Sequence, residues 1–343
     1  MRSSLRNTVI NVSLLLATIA IFFGGIEFAL RVTGLQTTKP NPPKIYQSSA
    51  IPDIRYELKP SISERAYRST VTTNSLGFRG PELQEGKQLI AMLGDSITFG
   101  YGLEDDQTLP AHLQALLPEF NVLNTASPGY NLTQQTAVFR EKVKKLNPTT
   151  LVLIFHFNDL EESGIAHLDE QGILRPEGWT LEEEQCSPIK TGLMAYVPGK
   201  CWLDLRSAFY RAVKKFVTAQ QGKRDLQEQE ATAQENAFSE NMKAESLKAY
   251  GETLAKLTAL LPRDLPRLFV IWPERNLHFT AREQLKSLVE AQGFRVLDLY
   301  EVFGNDAETL SWDTVHPSAE TAEHGADIIK AALEHYNLIP IGE

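Results

Sequence analysis

Between residues 88 and 300, short apolar runs alternate with amphipathic segments. This alternation limits the possible fold more than any other feature of the chain. The runs are QLIAML (88–93), FNVLNTA (120–126), TLVLIFHF (150–157), RLFVIW (267–272) and FRVLDLY (294–300). Several are apolar at successive positions rather than at alternate ones, as strands covered on both faces are. Between them, QTLPAHLQALL (107–117) and LTQQTAVFREKVKKL (132–146) read as helices, the second ended by Asn147-Pro148. Further helices are expected near 244–261, 278–292 and 318–335. Strand and helix alternating with short links predict an α/β fold, a parallel sheet with helices on both faces. Sites in such sheets gather beyond the carboxyl ends of the strands.

The 343 residues are 42% hydrophobic and 22% charged, a globular composition sufficient for one large domain or two ordinary ones. A formal net charge of −9 argues against a broad nucleic-acid surface, and no internal repeat is visible. The N-terminus is different in kind. Residues 7–26, NTVINVSLLLATIAIFFGGI, carry no charge. As a helix they span roughly 30 Å, the hydrocarbon thickness of a bilayer. Arg2 and Arg6 precede the run, which predicts a cytoplasmic N-terminus and an exported remainder. A cleaved signal peptide has a shorter apolar region, about 7–15 residues, followed by a small-residue cleavage site. The run here is longer and no clear site follows, so it reads as an uncleaved signal anchor, a single transmembrane helix.

The expected organisation is a membrane anchor over 1–35, a linker and lead-in over 36–72, and a main domain over 73–343. The linker contains the Pro-rich stretch TTKPNPPKIYQ. Residues 160–243 interrupt the alternation without a clean strand and read as an insertion, a candidate lid or substrate wall. Within it, deletion of 220–240 is expected to leave folding intact. Trp179, Trp202, Phe209 and Tyr210 lie in this insertion, as core of the insert or as a surface for sugar rings or an acyl chain. Cys186 and Cys201 are the only cysteines. In an oxidising compartment they are able to pair, a closure worth about 3 kcal/mol in the chain-entropy model; two free thiols are the alternative.

Four segments at strand ends or in loops carry reactive groups: GDSITFG (94–100), ASPGYN (126–131), HFND (156–159) and DTVHPS (313–318). A serine hydroxyl needs an adjacent base to act as a nucleophile. His316 is the candidate base for Ser96, and Asp313, three residues earlier, is close enough to hold the imidazole tautomer. Pro317 is expected to open the last helix at its first position. Fixed donors for a developing oxyanion are the N–H of Ser96, the N–H of Gly129 and the side-chain amide of Asn158. Taken singly, DTVHPS also reads as a helix cap, Gly129 as a Pro-Gly turn and Asn158 as a strand-end turn. All four at successive strand ends, in order, are much harder to obtain by chance.

Together these segments resemble the blocks of the SGNH (GDSL-type) hydrolase superfamily, whose letters stand for a serine, a glycine, an asparagine and a histidine. They match Ser96 in GDSITFG, Gly129 in SPGYN, Asn158 in FND and His316 in DTVHP, over about residues 88–335. TNSLGFRGPE (73–82) is similar to the lead-in of membrane-anchored bacterial members. The resemblance implies a flavodoxin-like three-layer α/β/α sandwich. It makes Ser96 the nucleophile, His316 the base, Asp313 its partner, and Ser96, Gly129 and Asn158 the oxyanion hole. One position departs from the pattern: His156 stands where the family usually has glycine. That places substrate shape in question more than the triad. A packed strand histidine is the first reading of His156, and Asp159 reads as a structural acceptor.

Other chemistries are not supported. Ser96 lacks the G-x-S-x-G context of a nucleophile elbow. GDSITFG has no lysine at the P-loop position. His and Cys show no metal-ligand spacing, so neither metal nor cofactor is expected. The expectation is therefore a membrane-anchored, extracytoplasmic serine esterase of a bacterial periplasm or cell surface. It would act on an O-acyl or O-acetyl ester of an envelope carbohydrate or lipid. An O-acyltransferase acting on an extracytoplasmic polysaccharide with the same triad is the alternative, and a non-catalytic envelope binding module is a third reading. Neither acyl group, alcohol partner nor oligomeric state is legible.

Overall fold

The structure is a computed structural model and describes residues 2–36, 42–160, 165–175, 177–178, 193–231 and 237–340. The chain forms two compact units, Met1–Asn41 with Gly178–Asp225, and Pro42–Glu177 with Leu226–Glu343. The first contains α1 (Arg2–Val32), the charge-free run in helical form. Over Arg6–Val32 this helix is long and apolar enough to cross a bilayer, which fits an anchor or a signal sequence. Its apolar side chains, among them Leu14, Leu15, Leu16 and Phe22, are exposed.

The second unit begins with a difference from the sequence reading. Within the stretch expected as linker and lead-in, residues 46–72 carry regular structure. They form two antiparallel hairpins, β1 (Tyr46–Ser48) with β2 (Tyr56–Leu58), and β3 (Ser63–Ala66) with β4 (Ser69–Thr72). Ile45, Ile54, Tyr56, Leu58 and Val71 enter the core. Strands of three or four residues are too short to show periodicity, and the adjacent prolines dominate the local composition.

The alternating region then unfolds in order: β5 (Gln88–Leu93), α2 (Ser96–Phe99), α3 (Leu109–Leu116), β6 (Phe120–Asn124), α4 (Leu132–Val138) and β7 (Thr150–Phe155). A small hairpin follows, β8 (His167–Leu168) with β9 (Leu174–Arg175), in a stretch where no strand was expected. The insertion continues with α5 (Lys200–Arg206) and α6 (Ala208–Ala231), and α7 (Ala237–Leu260) leads back to the sheet. The chain closes with β10 (Arg267–Ile271), α8 (Phe279–Ala291), β11 (Arg295–Asp298), α9 (Tyr300–Phe303) and α10 (Ala319–His335).

Five strands pair in parallel in the order β11-β10-β7-β5-β6. Numbered along the chain this is 2-1-3-4-5, the flavodoxin-like doubly wound order. The continuous apolar runs are explained by the two faces. Leu89, Ala91, Leu93, Leu151, Leu153, Phe155, Phe269 and Ile271 join one core with side chains of α4, α7 and α8. Their alternates Ile90, Met92, Val152, Ile154, Leu268 and Val270 join a second core with α3 and α10. The result is a three-layer α/β/α sandwich.

Two helical boundaries differ from expectation for local reasons. The helix expected over 132–146 is α-helical only to Val138, then takes a π turn over Phe139–Val143 and a 3-10 turn over Lys144–Leu146. The wider turn keeps both Phe139 and Val143 buried while Arg140 reaches Asp53 and Lys142 reaches Glu57. Asn147 then ends the element in the left-handed region, φ 52°. Strand β11 stops at Asp298 because its carboxylate accepts the Tyr300 N–H at 3.1 Å and starts α9. Cys201 is disulfide-bonded; Cys186 and Trp179 lie outside the described residues.

Candidate active site

Strand β5 ends at Leu93, and two residues later α2 starts with Ser96. The turn is this sharp because Asp95 caps the helix at once: its Oδ1 accepts the Ile97 N–H at 2.9 Å. Gly94 is required by contact. A Cβ there would lie 2.0 Å from Thr98 Oγ1 and 2.8 Å from Thr98 Cβ. Asp95 and Ile97 are buried, and Ser96 between them is partly exposed, so the hydroxyl stands at the rim of the sheet.

The loop before α10 brings the imidazole to that hydroxyl. It is tied to itself by Leu310 N–H to the His316 carbonyl at 2.9 Å and Asp313 N–H to the Leu310 carbonyl at 3.0 Å. Asp313 Oδ1 accepts the N–H groups of Val315 at 2.7 Å and His316 at 2.9 Å. Its Oδ2 lies 2.8 Å from His316 Nδ1, and His316 Nε2 lies 2.9 Å from Ser96 Oγ. An ionised carboxylate only accepts, so Nδ1 carries the proton and Nε2 is free to take one from Ser96. Burial pushes the Asp313 carboxyl up, but the hydrogen bonds from the His316 ring and from the two backbone N–H groups outweigh it and hold the pKa at about 2. Tyr101 stacks on the imidazole, ring centroids 4.2 Å apart and planes at 22°. Ser318, not Pro317, is the structural start of α10: its Oγ accepts the Thr321 N–H, and Pro317 precedes this cap.

Asn158 sits in a 3-10 turn, Phe157–Leu160, just past β7. Its Nδ2 donates to Asp95 Oδ2 at 3.2 Å. One carboxylate thus starts the helix of Ser96 and orients the amide of Asn158, which has a second N–H to give. Gly129 lies past the end of β6 with φ +81°, a conformation that L side chains rarely adopt. A Cβ there would also stand 3.0 Å from Tyr56 Oη, whose hydroxyl donates to the Pro128 carbonyl. The hairpins of the lead-in therefore support the Gly129 loop.

Two contributions were not read from the sequence, and a third, His156, was read there only as a packed strand histidine. Arg79, in the lead-in, is 3% exposed. Its guanidinium donates to the carbonyls of Phe99, Gly100, Leu103 and Thr70 at 2.7–3.1 Å and to Asp105 at 2.9 Å, tying down the loop behind Ser96. A lone arginine within LGFRG was the only signal. Tyr101 directly follows GDSITFG and carried no role in the sequence reading. His156, at the departing position, is buried, and its Nδ1 accepts the Asn158 N–H at 3.3 Å. Its Nε2 then carries the proton and faces Glu274 Oε2 at 3.5 Å. The Glu274 carboxyl is raised by burial and, more strongly in sum, lowered by His278 and His156. Burial and the neighbouring Asp95 carboxylate push the Asp159 carboxyl well up. Among the described residues, no three His, Cys, Asp or Glu side chains converge as a metal donor set.

Residues 92–324 match the family model described as the GDSL-like Lipase/Acylhydrolase family. Similar solved structures include a putative lipolytic protein of the G-D-S-L family from Desulfitobacterium hafniense, at 14% identity, 72% of this chain, 100% of that chain and a TM-score of 0.41. A lipase/acylhydrolase from Enterococcus faecalis aligns at 13% identity over 75% and 100% of the two chains with a TM-score of 0.43. A catalytic mutant of an acetylxylan esterase from Geobacillus stearothermophilus aligns at 15% over 77% and 100%, with a TM-score of 0.38. No curated protein matches the chain.

Proposed function

Because the chain belongs to the GDSL-like lipase/acylhydrolase family and is an ester-hydrolysing enzyme, we propose that it works as a serine esterase through Ser96, His316 and Asp313. His316 Nε2 removes the hydroxyl proton as Ser96 Oγ bonds to the ester carbonyl carbon. The resulting oxyanion is met by the N–H groups of Ser96 and Gly129 and by the Asn158 amide. Collapse breaks the bond to the alcohol oxygen, and the imidazolium returns its proton to the departing alcohol. A water then attacks the acyl-enzyme with His316 again as base, releasing the acid and restoring Ser96. Asp313 remains ionised throughout and stabilises the imidazolium.

The observation that carries this reading is the unbroken line Asp313–His316–Ser96, with contacts of 2.8 Å and 2.9 Å. The proposed substrate is an O-acyl or O-acetyl ester of an envelope carbohydrate or lipid. Its support is α1, read as an uncleaved single-pass anchor with the remainder extracytoplasmic, and a disulfide at Cys201, at home in an oxidising compartment.

The test is hydrolysis of p-nitrophenyl acetate and longer acyl esters by the full chain, with Ser96→Ala beside it. The variant is expected to lose at least about a thousandfold in kcat while keeping its fold. Undiminished hydrolysis by Ser96→Ala overturns the assignment. A sugar acceptor added to the same assay reads the alternative outcome, transfer of the acyl group to a hydroxyl rather than to water.

A further inference from the structure

The inserted segment packs on the N-terminal helix through specific contacts. Glu27 is the first charged residue after the apolar run of α1. Its carboxylate accepts the Ala208 N–H at 2.8 Å, the Phe209 N–H at 2.9 Å and the Ser207 hydroxyl at 2.9 Å. It therefore caps α6 from another element, satisfying donors that a helix start leaves open. Arg31, one turn further along α1, pairs with Glu27 and donates to the Arg206 carbonyl. One turn back, the Phe23 ring meets Phe209 edge-on at 5.3 Å. The start of α6 is thus fixed at the depth where the charge-free run ends.

Around that point the segment is unlike the rest of the chain. Residues 200–216, KCWLDLRSAFYRAVKKF, hold five basic residues and one acid, a net of +4 in a chain of −9. The acid, Asp204, is buried and pairs with Lys214 at 3.0 Å. Large apolar side chains are nevertheless left open: Tyr196 is 86% exposed, Phe216 67%, Trp202 60% and Leu205 45%. Trp202 and Leu205 share a face of α5 by their spacing, and Phe209 and Phe216 share a face of α6. The Arg206 guanidinium lies 5.9 Å over the Trp202 ring. Exposed aromatics interleaved with basic residues, at the end of a membrane-length helix, match the chemistry of a bilayer interface.

We propose that α5 and the start of α6 form a foot on the bilayer surface. Trp202 and Leu205 seat at the boundary of headgroups and acyl chains, and Lys200 and Arg206 face anionic lipid phosphates. The inference rests on reading α1 as the membrane anchor. It assigns residues 200–216 of the insertion to the membrane rather than to a lid.

The experiment uses the full chain reconstituted in phosphatidylethanolamine–phosphatidylglycerol vesicles whose acyl chains carry bromine near the glycerol end. Tryptophan emission is compared between the native protein and Trp202→Phe. The native protein is expected to show a bromolipid-quenched component that Trp202→Phe lacks and that aqueous iodide does not reach. Charge reversal by Lys200→Glu with Arg206→Glu is expected to reduce that component while hydrolysis of a soluble ester is unchanged. A chain that resists alkaline carbonate extraction, but whose Trp202 emission is quenched by iodide and not by bromolipid, overturns the foot and leaves the anchor standing. A Trp202 shielded from both quenchers points to a second copy of the chain and overturns it as well. A chain released by carbonate overturns the anchor reading and the foot with it.

Discussion

Asp95 makes two contacts that no other residue of the site makes together, one to the start of the Ser96 helix and one to the Asn158 amide. Asp95→Ala is therefore expected to lower kcat more than it raises KM, because both Ser96, the proposed nucleophile, and Asn158, the proposed oxyanion donor, lose their orientation; steady-state kinetics separates the two effects. Asp313 answers to pH in a definite direction. Held at about 2, its carboxylate stays ionised through the whole working range. Asp313 then adds no acidic transition of its own to kcat/KM above pH 3, and Asp313→Asn is expected to lower kcat by roughly ten-thousandfold through the wrong tautomer. A pH–rate profile with a second acidic transition above pH 3 would count against this. Arg79 is a case of pure architecture. Arg79→Met leaves four carbonyls and Asp105 without their buried donor, and an expected loss of about 3–5 kcal/mol is readable by urea unfolding.

At the scale of elements, the β3–β4 hairpin carries an unusual turn. Tyr67 and Arg68 both have positive φ, 54° and 69°, where Asn-Gly is the ordinary choice. The bulky pair is retained at a strain of about 1–2 kcal/mol per residue. Its side chains account for it. Tyr67 packs on Tyr101 with centroids at 4.3 Å, Tyr101 stacks on His316, and Arg68 lies 4.7 Å over Trp312. Replacing Arg68 by Gly is expected to hold or raise the melting temperature, since one strained position is relieved while the Tyr46–Tyr67 hydroxyl contact at 2.7 Å is kept, and to lower kcat by freeing Trp312 in the loop that carries His316. A fall in both would mean that the turn is simply needed for folding. These hairpins were invisible in the sequence because three- and four-residue strands have no period to detect, whereas the five central strands were legible from their unbroken apolar runs.

For the whole molecule, the pH dependence of stability follows from the same carboxylate. A depressed folded-state pKa contributes stability above the unfolded value, near 4, that is lost as pH falls toward about 2. Acid unfolding of Asp313→Asn is expected to be shallower than that of the native chain across this window. Deletion of residues 220–240 is expected to leave soluble, monodisperse protein, since that polar, Gln/Glu-rich stretch offers few apolar side chains to bury; gel filtration reads the outcome.

The sequence by itself determined the periodicities: five buried strands, the helices between them, the charge-free N-terminal run, and the serine placed where a strand must turn. These are local properties, because burial on two faces and helix capping leave marks within a few residues. It also carried the family, through four short segments. Only the tertiary structure decided what meets what. His316 and Ser96 lie 220 positions apart and meet because β5 and the loop before α10 end at the same rim of the sheet. His156 became the support of the Asn158 turn, Arg79 the anchor of the loop behind the serine, and Glu27 the cap of a helix far along the chain. A single polar side chain has no period, and its partner is set by packing, so its role cannot be read until the chain is folded.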